Sequence, residues 1–256
     1  MRFVIKVGTS TLAYASGKLN IRRVEELCKV ISDLKNSGHE IVLVSSGAIG
    51  MGIGKLNLSE RPSDMSTKQA AAAVGQCELM YTYDKLFSEY SHTVAQILIT
   101  GDDVENVDRR TYFINTMERL LQLGVLPVIN ENDTVATSEI AVGDNDTLAA
   151  IVAINIGARL LVLLTDTDGL YSGDPKMNSS AELLERIDII DDNIRALAGG
   201  AGSSLGTGGM ATKIRAAEIC CTNGVDTIIA NGSRPETLYD IIEGKGRYTL
   251  FKGKTK

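Results

Sequence analysis

The chain has 256 residues, a formal net charge of −6 and 44% hydrophobic residues, which is an ordinary composition for a folded globular protein. An acidic chain is poorly suited to general binding of nucleic acid or anionic membrane, because these partners carry charge of the same sign. Its four cysteines form no C-x-x-C pair, so neither a disulfide framework nor a zinc site is predicted. Because the chain is acidic overall, any phosphate site must be a local cluster of positively charged residues.

The apolar stretches do not have the length or continuity of a membrane helix. Lys6 interrupts the early apolar run, and the longest stretch, 148–164, is broken by Asn155, Gly157 and Arg159. A spanning helix needs about 20 predominantly apolar residues, and a secretory leader needs an uninterrupted apolar segment. We expect a cytoplasmic protein that binds neither membrane nor nucleic acid.

Short apolar runs alternate with helical patterns in chain order. Strands are predicted at 2–7, 41–44, 94–99, 125–129, 160–164, 227–230 and 248–251. Apolar residues spaced three and four apart predict helices at 21–34, 67–90, 108–123, 144–156, after the Gly-rich run at 206–209, and at 236–242. Strands that are apolar throughout require cover on both faces. The predicted fold class is therefore α/β, a three-layer α/β/α sandwich with a mostly parallel central sheet.

Four polar segments directly follow predicted strands. In a parallel sheet, the carboxyl ends of the strands meet at one edge, where ligands bind. We expect the four segments to converge there: Gly8-Thr9-Ser10, Ser45-Ser46-Gly47, Asn130-Glu131-Asn132-Asp133 and Thr165-Asp166-Thr167-Asp168.

The run 206–213 is rich in glycine, ends in Lys213 and opens a helix. Glycines let backbone N–H groups approach a ligand closely, and a helix N-terminus favours an anion. The spacing is not that of a P-loop. Lys6, inside the first strand, is either an edge lysine facing water or a second phosphate ligand, and Lys213 is either a solvated helix lysine or a phosphate ligand. Two lysines flanking a migrating phosphoryl group would neutralise its charge.

Further polar groups suit an acceptor molecule. In Asp144-Asn145-Asp146 one carboxylate is enough to cap the helix, which leaves the other to pair with a lysine or to ligate Mg²⁺. The segment 130–133 offers amides and a carboxylate for a zwitterion, and the segment 45–50 offers backbone N–H groups for a carboxylate. Neither His39 nor His92 is placed for a catalytic triad, which disfavours serine-hydrolase chemistry.

Taken together, these motifs make the chain resemble the amino-acid kinase family over nearly its whole length. The resemblance rests on the order and spacing of several segments: 4–10, 45–49, 130–133, 142–146, 164–166, 169–171 with Asp174-Pro175, and 206–210 with Lys213. It implies a single kinase domain over 1–256, with an acceptor-binding part at about 1–150 and a nucleotide-binding part at about 151–256. It implies ATP-dependent phosphorylation of the γ-carboxylate of L-glutamate, which opens proline biosynthesis.

The resemblance also implies roles for individual residues. Lys6 and Lys213 would stabilise the transferring phosphoryl group, and Asp146 would organise the two lysines. The glutamate-binding residues would be Ser46, Gly47, Ala48, Asn130, Asp133 and Asn145. The nucleotide-binding residues would be Lys6, Gly8, Thr9, Thr165, Asp166, Thr207, Gly208, Gly209, Met210, Ala211, Thr212 and Lys213. Mg²⁺ would bridge the phosphates of ATP.

Some expectations concern partners and rival functions. We expect a homo-oligomer, with proline as a candidate feedback inhibitor. Many bacterial members that phosphorylate glutamate carry a C-terminal RNA-binding-like PUA module, and we expect none after Lys256. The rival functions are a sibling kinase acting on carbamate, aspartate, N-acetylglutamate or UMP, and a nucleotide sensor without catalysis. The segments Ser-Ser-Gly-Ala-Ile and Asn-Glu-Asn-Asp favour glutamate.

Overall fold

The computed structural model describes residues 1–14, 18–136, 142–175, 177–178, 180–198 and 209–254. These residues contain an eight-stranded sheet with the strand order β3-β4-β2-β1-β5-β7-β8-β6. The strand bounds are β1 Arg2–Val7, β2 Glu40–Ser45, β3 Val94–Ile99, β4 Leu126–Glu131, β5 Leu160–Thr165, β6 Arg186–Ile187, β7 Asp226–Asn231 and β8 Tyr248–Phe251.

Every neighbouring pair of strands is parallel except β7 and β8. Strand β1 lies inside the sheet, where Lys6 is opposite Val44 of β2 and Leu163 of β5. The interpretation of Lys6 as an edge lysine facing water is therefore wrong, because β1 has a hydrogen-bonded neighbour on each side.

Helices cover both faces of the sheet, which confirms the predicted α/β/α sandwich. Val4 of β1 packs into one apolar cluster with α6, α7 and α9, whereas Phe3 and Ile5 pack into a second cluster with α2, α4 and α10. The helix bounds are α1 Thr9–Leu12, α2 Ile21–Asn36, α3 Ala48–Lys55, α4 Met65–Ser88, α5 Gly101–Glu105, α6 Val107–Gln122, α7 Asn145–Asn155, α8 Asp192–Leu197, α9 Met210–Thr222 and α10 Thr237–Ile242.

Helices α3 and α4 pack with almost no space between their backbones. A Cβ atom on Gly75 would lie 1.7 Å from the carbonyl oxygen of Ala48, and one on Gly52 would lie 1.8 Å from that of Ala71. Only glycine permits this approach. The contact fixes the N-terminus of α3 against the middle of α4.

Two details differ from the sequence prediction. Asn130 and Glu131 were expected in a loop, but they are the last two residues of β4, because the pairing with β3 continues to Glu131 opposite Ile99. The short elements α1, α3, α5, α8 and β6 were not predicted as separate elements. Among the described residues, no helix combines the length and apolar character needed to cross a bilayer.

Candidate active site

A cavity of about 640 Å³ lies at the carboxyl edge of the sheet. It is bounded by the ends of β1, β2, β4 and β5 and by the first residues of α3, α7 and α9. The polar segments expected to converge do so here. Fifteen of the predicted site residues line it: Lys6, Gly8, Thr9, Ser46, Gly47, Ala48, Asn130, Asp133, Asn145, Asp146, Thr165, Asp166, Gly209, Met210 and Lys213.

Two lysines distant in sequence share one carboxylate in the wall of this cavity. Lys6 Nζ lies 2.7 Å from Asp146 Oδ1, and Lys213 Nζ lies 3.1 Å from Asp146 Oδ2. Each lysine is 5% exposed and Asp146 is fully buried at 0%. The trio, which we call the Lys–Asp–Lys cluster, carries a formal charge of +1 in an otherwise acidic protein.

The environment of the cluster shifts two of its pKa values. Burial and, less strongly, the Lys213 ammonium group lower the pKa of Lys6, although the Asp146 carboxylate opposes them. Burial by itself would raise the pKa of Asp146, but the attraction of the two ammonium groups outweighs it and the pKa is lowered. Asp146 is therefore ionised at neutral pH and holds both lysines by charge.

Helix α9 is fixed to the cluster by its first turn. Thr212 Oγ1 lies 2.7 Å from Asp146 Oδ2 and 2.8 Å from the carbonyl oxygen of Gly209, the N-cap residue. This hydroxyl therefore points at Asp146, whereas the Ala211 side chain is exposed. Neither residue lines the cavity. The predicted nucleotide-binding residues Thr207 and Gly208 lie outside the described residues.

The first residue of α7 joins two strand ends on the acceptor side. Asn145 donates from Nδ2 to Ser46 Oγ at 2.8 Å, after β2, and to Asn130 Oδ1 at 2.9 Å, in β4. The Asp144 side chain caps this helix by accepting from the backbone N–H of Thr147 at 2.8 Å. One carboxylate therefore caps α7 and the other joins the lysines, which is one of the two alternatives left open by the sequence.

Two acidic side chains lie close to the acceptor side. Burial raises the pKa of Asp133, and burial also raises that of Glu131. Glu131 accepts the backbone N–H of Val142 at 2.6 Å, so its carboxylate is tied to the chain just before α7. Asp133 is half-buried and lines the cavity. It is the acidic group better placed to meet a cation from solution.

Sequence reasoning missed several residues of the cavity wall. Arg61, Lys68 and Gln69 line it from α4 and the segment before α4. They belong to no local motif, and the tertiary packing of the chain brings them there. Tyr171 and Asp174 also line the cavity. Their segment was noted as part of the resemblance, but neither had been given a role.

The family model for the amino acid kinase family matches residues 1–231. The chain belongs to the amino acid kinase family. It is 49% identical to a glutamate 5-kinase of Clostridium perfringens over 99% of this chain and 96% of that protein. It is 52% identical to one of Clostridium acetobutylicum, over 100% of this chain and 96% of that protein. A third, of Caldanaerobacter subterraneus, is 49% identical and longer, since the match spans 98% of this chain and 68% of that protein.

Solved structures of other family kinases show the same fold. UMP kinase from Ureaplasma parvum matches with a TM-score of 0.66 at 16% identity, over 98% of both chains. Carbamate kinase from Giardia lamblia, solved with AMP-PNP, matches with a TM-score of 0.69 at 19% identity, over 99% of this chain and 98% of that one. At such low identity, the likeness concerns the fold alone.

Proposed function

We propose that the protein is a kinase that uses ATP to phosphorylate the γ-carboxylate of L-glutamate, giving γ-glutamyl phosphate and ADP. The observation that carries phosphoryl transfer is the buried Lys–Asp–Lys cluster in the cavity wall. The choice of acceptor follows the relatives named glutamate 5-kinase, which match this chain over nearly its full length. The reaction would open proline biosynthesis in the cytoplasm.

The chemistry requires positioning and charge rather than a base. A glutamate side chain titrates near pH 4.3, so the attacking carboxylate is already ionised at neutral pH. The barrier is the repulsion between this anion and the phosphates of ATP, and the oxygens of the migrating group gain charge in transfer. In the proposal, Lys6 and Lys213 neutralise that charge, while Asp146 holds both ammonium groups in place before substrate arrives.

The nucleotide would lie between the ends of β1 and β5 and the start of α9. Gly8 and Thr9 follow β1, Thr165 ends β5 and Asp166 follows it, and Gly209 and Met210 open α9, where N–H groups favour phosphate. The remaining residues assigned to the nucleotide are Lys6, Thr207, Gly208, Ala211, Thr212 and Lys213. Because Thr212 contacts Asp146, we assign it to positioning the cluster.

Mg²⁺ would enter the site with the nucleotide. The described residues contain no group of three or more His, Cys, Asp or Glu side chains arranged to hold a metal ion. In kinase sites, Mg²⁺ usually keeps several waters and is held through phosphate oxygens and one or two carboxylates, so this arrangement fits. Asp166, directly after β5, is the lining carboxylate we would expect to contact the ion or its waters. The bound ion would neutralise part of the phosphate charge.

Glutamate would lie between α3, β4 and the start of α7. The Ser46 hydroxyl and the backbone N–H groups of Gly47 and Ala48 suit its α-carboxylate, because α3 begins at Ala48. Asp133, Asn130 and Asn145 suit its ammonium group. The two ends of a zwitterion would then meet opposite sides of the pocket, with the γ-carboxylate directed to the Lys–Asp–Lys cluster.

The test traps the product. The purified protein is incubated with ATP, Mg²⁺, hydroxylamine and one acceptor at a time: glutamate, aspartate, N-acetylglutamate, carbamate or UMP. We expect γ-glutamyl hydroxamate and matching ADP release with glutamate alone, and loss of both in the Lys213→Ala variant. Product from another acceptor would assign a sibling kinase. ATP binding without hydroxamate or ADP would assign a sensor, and either result would refute the proposal.

The proposal extends to assembly and regulation. The family resemblance suggests a homo-oligomer and inhibition by proline at a site overlapping that of glutamate. Adding proline to the hydroxamate assay at several glutamate concentrations should raise the KM for glutamate without lowering kcat. Light scattering at assay concentration measures the mass of the particle against the 27.4 kDa chain.

A further inference from the structure

A chain of side-chain amides runs from the glutamate side of the cavity into helix α4. Asn130 donates from Nδ2 to Gln76 Oε1 at 3.1 Å, and Gln76 donates from Nε2 to Gln96 Oε1 at 3.1 Å. Together with the bonds from Asn145 to Asn130 and Ser46, these contacts form one continuous series, which we call the amide relay. Its order is Gln96, Gln76, Asn130, Asn145 and Ser46.

Among the four amides of the relay, donation runs in one direction, from Asn145 through Asn130 and Gln76 to Gln96. At each step the NH₂ group of one amide faces the carbonyl oxygen of the next, so turning one amide alone would set two donors or two acceptors against each other. Asn145 gives both of its Nδ2 hydrogens to Ser46 and Asn130. Its Oδ1 is buried and has no hydrogen-bond partner among the described residues. Toward a ligand, the Asn145 side chain can therefore only accept.

Gln76 lies behind the wall of the cavity and is not part of its lining. It is 8% exposed and does not line the 640 Å³ cavity, whereas Asn130 and Asn145 do. It follows Gly75, whose close contact with Ala48 sets the position of α4 at this level. A buried glutamine needs partners for its amide, and here they are Asn130 on the cavity side and Gln96 on β3.

We infer that Gln76 is a positioning residue that orients the amides of Asn130 and Asn145, so that the pocket offers an acceptor to the ammonium group of the substrate amino acid. The inference rests on the proposed function. The Gln76 oxygen holds Asn130 Nδ2, which leaves Asn130 Oδ1 for Asn145 and leaves Asn145 as an acceptor. Reversal of these amides would present an NH₂ donor to the ligand, which repels an ammonium group.

This orientation of the amides gives the two charged groups of an α-amino acid different hydrogen-bond partners. Since Ser46 Oγ accepts from Asn145, its own hydrogen remains free for the α-carboxylate. Asn145 Oδ1 and the Asp133 carboxylate are acceptors suited to the ammonium group. A substrate that lacks the ammonium group would bind no better for this orientation of the amides. Gln76 therefore acts on the specificity for α-amino acids and not on the phosphoryl transfer.

The experiment compares Gln76→Met, which keeps the length of the side chain but removes the acceptor, with Gln76→Glu, which keeps an acceptor oxygen. Kinetics are measured for glutamate and for ATP, together with the inhibition constant of glutarate, which lacks the ammonium group. For Gln76→Met we expect the KM for glutamate to rise about tenfold, with the KM for ATP and the glutarate constant within about twofold. Gln76→Glu should stay within about threefold of the wild type for glutamate.

Two further variants keep the test decisive. Gln122→Met on α6 is the matched control, since Gln122 is exposed and accepts a surface hydrogen bond from Arg119, and it should match the wild type. If Gln76→Met does not fold, Gln96→Leu removes the partner that orients Gln76 and should raise the KM for glutamate about threefold. Because KM and inhibition constants do not depend on the fraction of active enzyme, partial misfolding does not alter the comparison.

The outcomes separate the inference from the proposed function. If the wild-type protein forms no glutamyl hydroxamate, both the proposed function and the inference about Gln76 are refuted. An active wild type with an unchanged KM in Gln76→Met overturns the inference alone. The inference is also overturned if Gln76→Glu is as impaired as Gln76→Met, or if glutarate binding weakens as much as glutamate binding, since both are the marks of a general packing defect.

Discussion

At the scale of single residues, burial of the Lys–Asp–Lys cluster is unfavourable for the free energy of folding. Removing charged groups from water costs several kcal/mol for each ion, and the attraction between them offsets this cost only when the geometry is favourable. Here two ammonium groups are buried around a single carboxylate. A hydrophobic trio of similar volume would serve stability equally well or better, so the cluster is best explained by chemistry.

Loss of either lysine should therefore affect turnover more than folding. For Lys6→Ala and Lys213→Ala we expect kcat to fall by at least about 10²–10³, the cost of removing one charge-stabilising donor in other enzymes. The hydroxamate assay gives kcat and far-ultraviolet circular dichroism reports the fold. Lys29→Ala, which removes a lysine exposed on α2, is the control. Near-normal turnover in either variant would refute the role of that lysine.

Asp133 should lower the free energy of unfolding at neutral pH while it contributes to the binding of glutamate. Burial raises the pKa of Asp133 in the folded protein, so the folded state binds this proton more tightly than the unfolded state, whose pKa is about 3.9. The free energy of unfolding then falls as the pH rises from about 3.9 through the raised folded pKa. At neutral pH, Asp133→Asn should increase stability by up to about 1 kcal/mol, discounted for partial exposure, and should raise the KM for glutamate.

The measurement for Asp133→Asn is the difference in Tm between variant and wild type across the acidic and neutral range. The difference should be largest at neutral pH and should shrink as the pH approaches the unfolded pKa. Asp84→Asn, on the exposed side of α4, controls for the loss of one carboxylate. A difference that is constant with pH, or negative at neutral pH, would contradict the argument.

At the scale of elements, the sequence predicts the long helices and buried strands well. The bounds of β1, β3 and β8 agree with prediction, and β5 and α7 agree within about one residue. These elements carry strong local signals, such as apolar runs and the carboxylate that caps α7. Short helices such as α3 and α5 span too few turns to show a period, and β6 has only two residues.

The same distinction applies to the site. Lys6, Asp146 and Lys213 could be named from sequence, because each stands in a motif at a strand end or helix start. Gln76 could not, because its partners in the amide relay lie on β4 and β3 and are distant from it in sequence. The close packing of α4 at this level depends on glycine contacts with α3, and no pattern within α4 records them.

The contact between α3 and α4 can be tested with two glycines. Gly75→Ala should destabilise the protein by more than about 3 kcal/mol, because its Cβ would lie 1.7 Å from the Ala48 oxygen and the backbone would have to move. Gly54→Ala, in α3, meets nothing within 4 Å and should stabilise by about 0.5–1 kcal/mol. Urea unfolding measures both. Equal effects would show that helix packing does not require Gly75.

At the scale of the whole molecule, the two proposed parts of the kinase domain share one sheet. Strand β1, from the acceptor part, pairs directly with β5 of the nucleotide part. Helix α7 packs against both β1 and α9. The Lys–Asp–Lys cluster joins the same two parts, since Lys6 and Asp146 belong to the first and Lys213 to the second.

This interlocking predicts one cooperative unfolding transition. Circular dichroism and tyrosine fluorescence should give the same urea midpoint, because neither part can keep its half of the sheet alone. Adding ATP, or ATP with glutamate, should move that midpoint upward without splitting the transition. A resolved second transition, or a stable fold in the fragment 1–150, would contradict the shared sheet as the unit of stability.

The Lys–Asp–Lys cluster carries a formal charge of +1 and is buried inside a protein of net charge −6. Different charges therefore act on the nucleotide while it approaches through solvent and after it has bound. The outer charges repel an incoming polyphosphate through water, where dissolved ions screen over a Debye length of about 8 Å at physiological ionic strength. The ammonium groups in the wall are shielded from those ions. Dissolved electrolyte should therefore speed the encounter with nucleotide while leaving the bound complex nearly as tight.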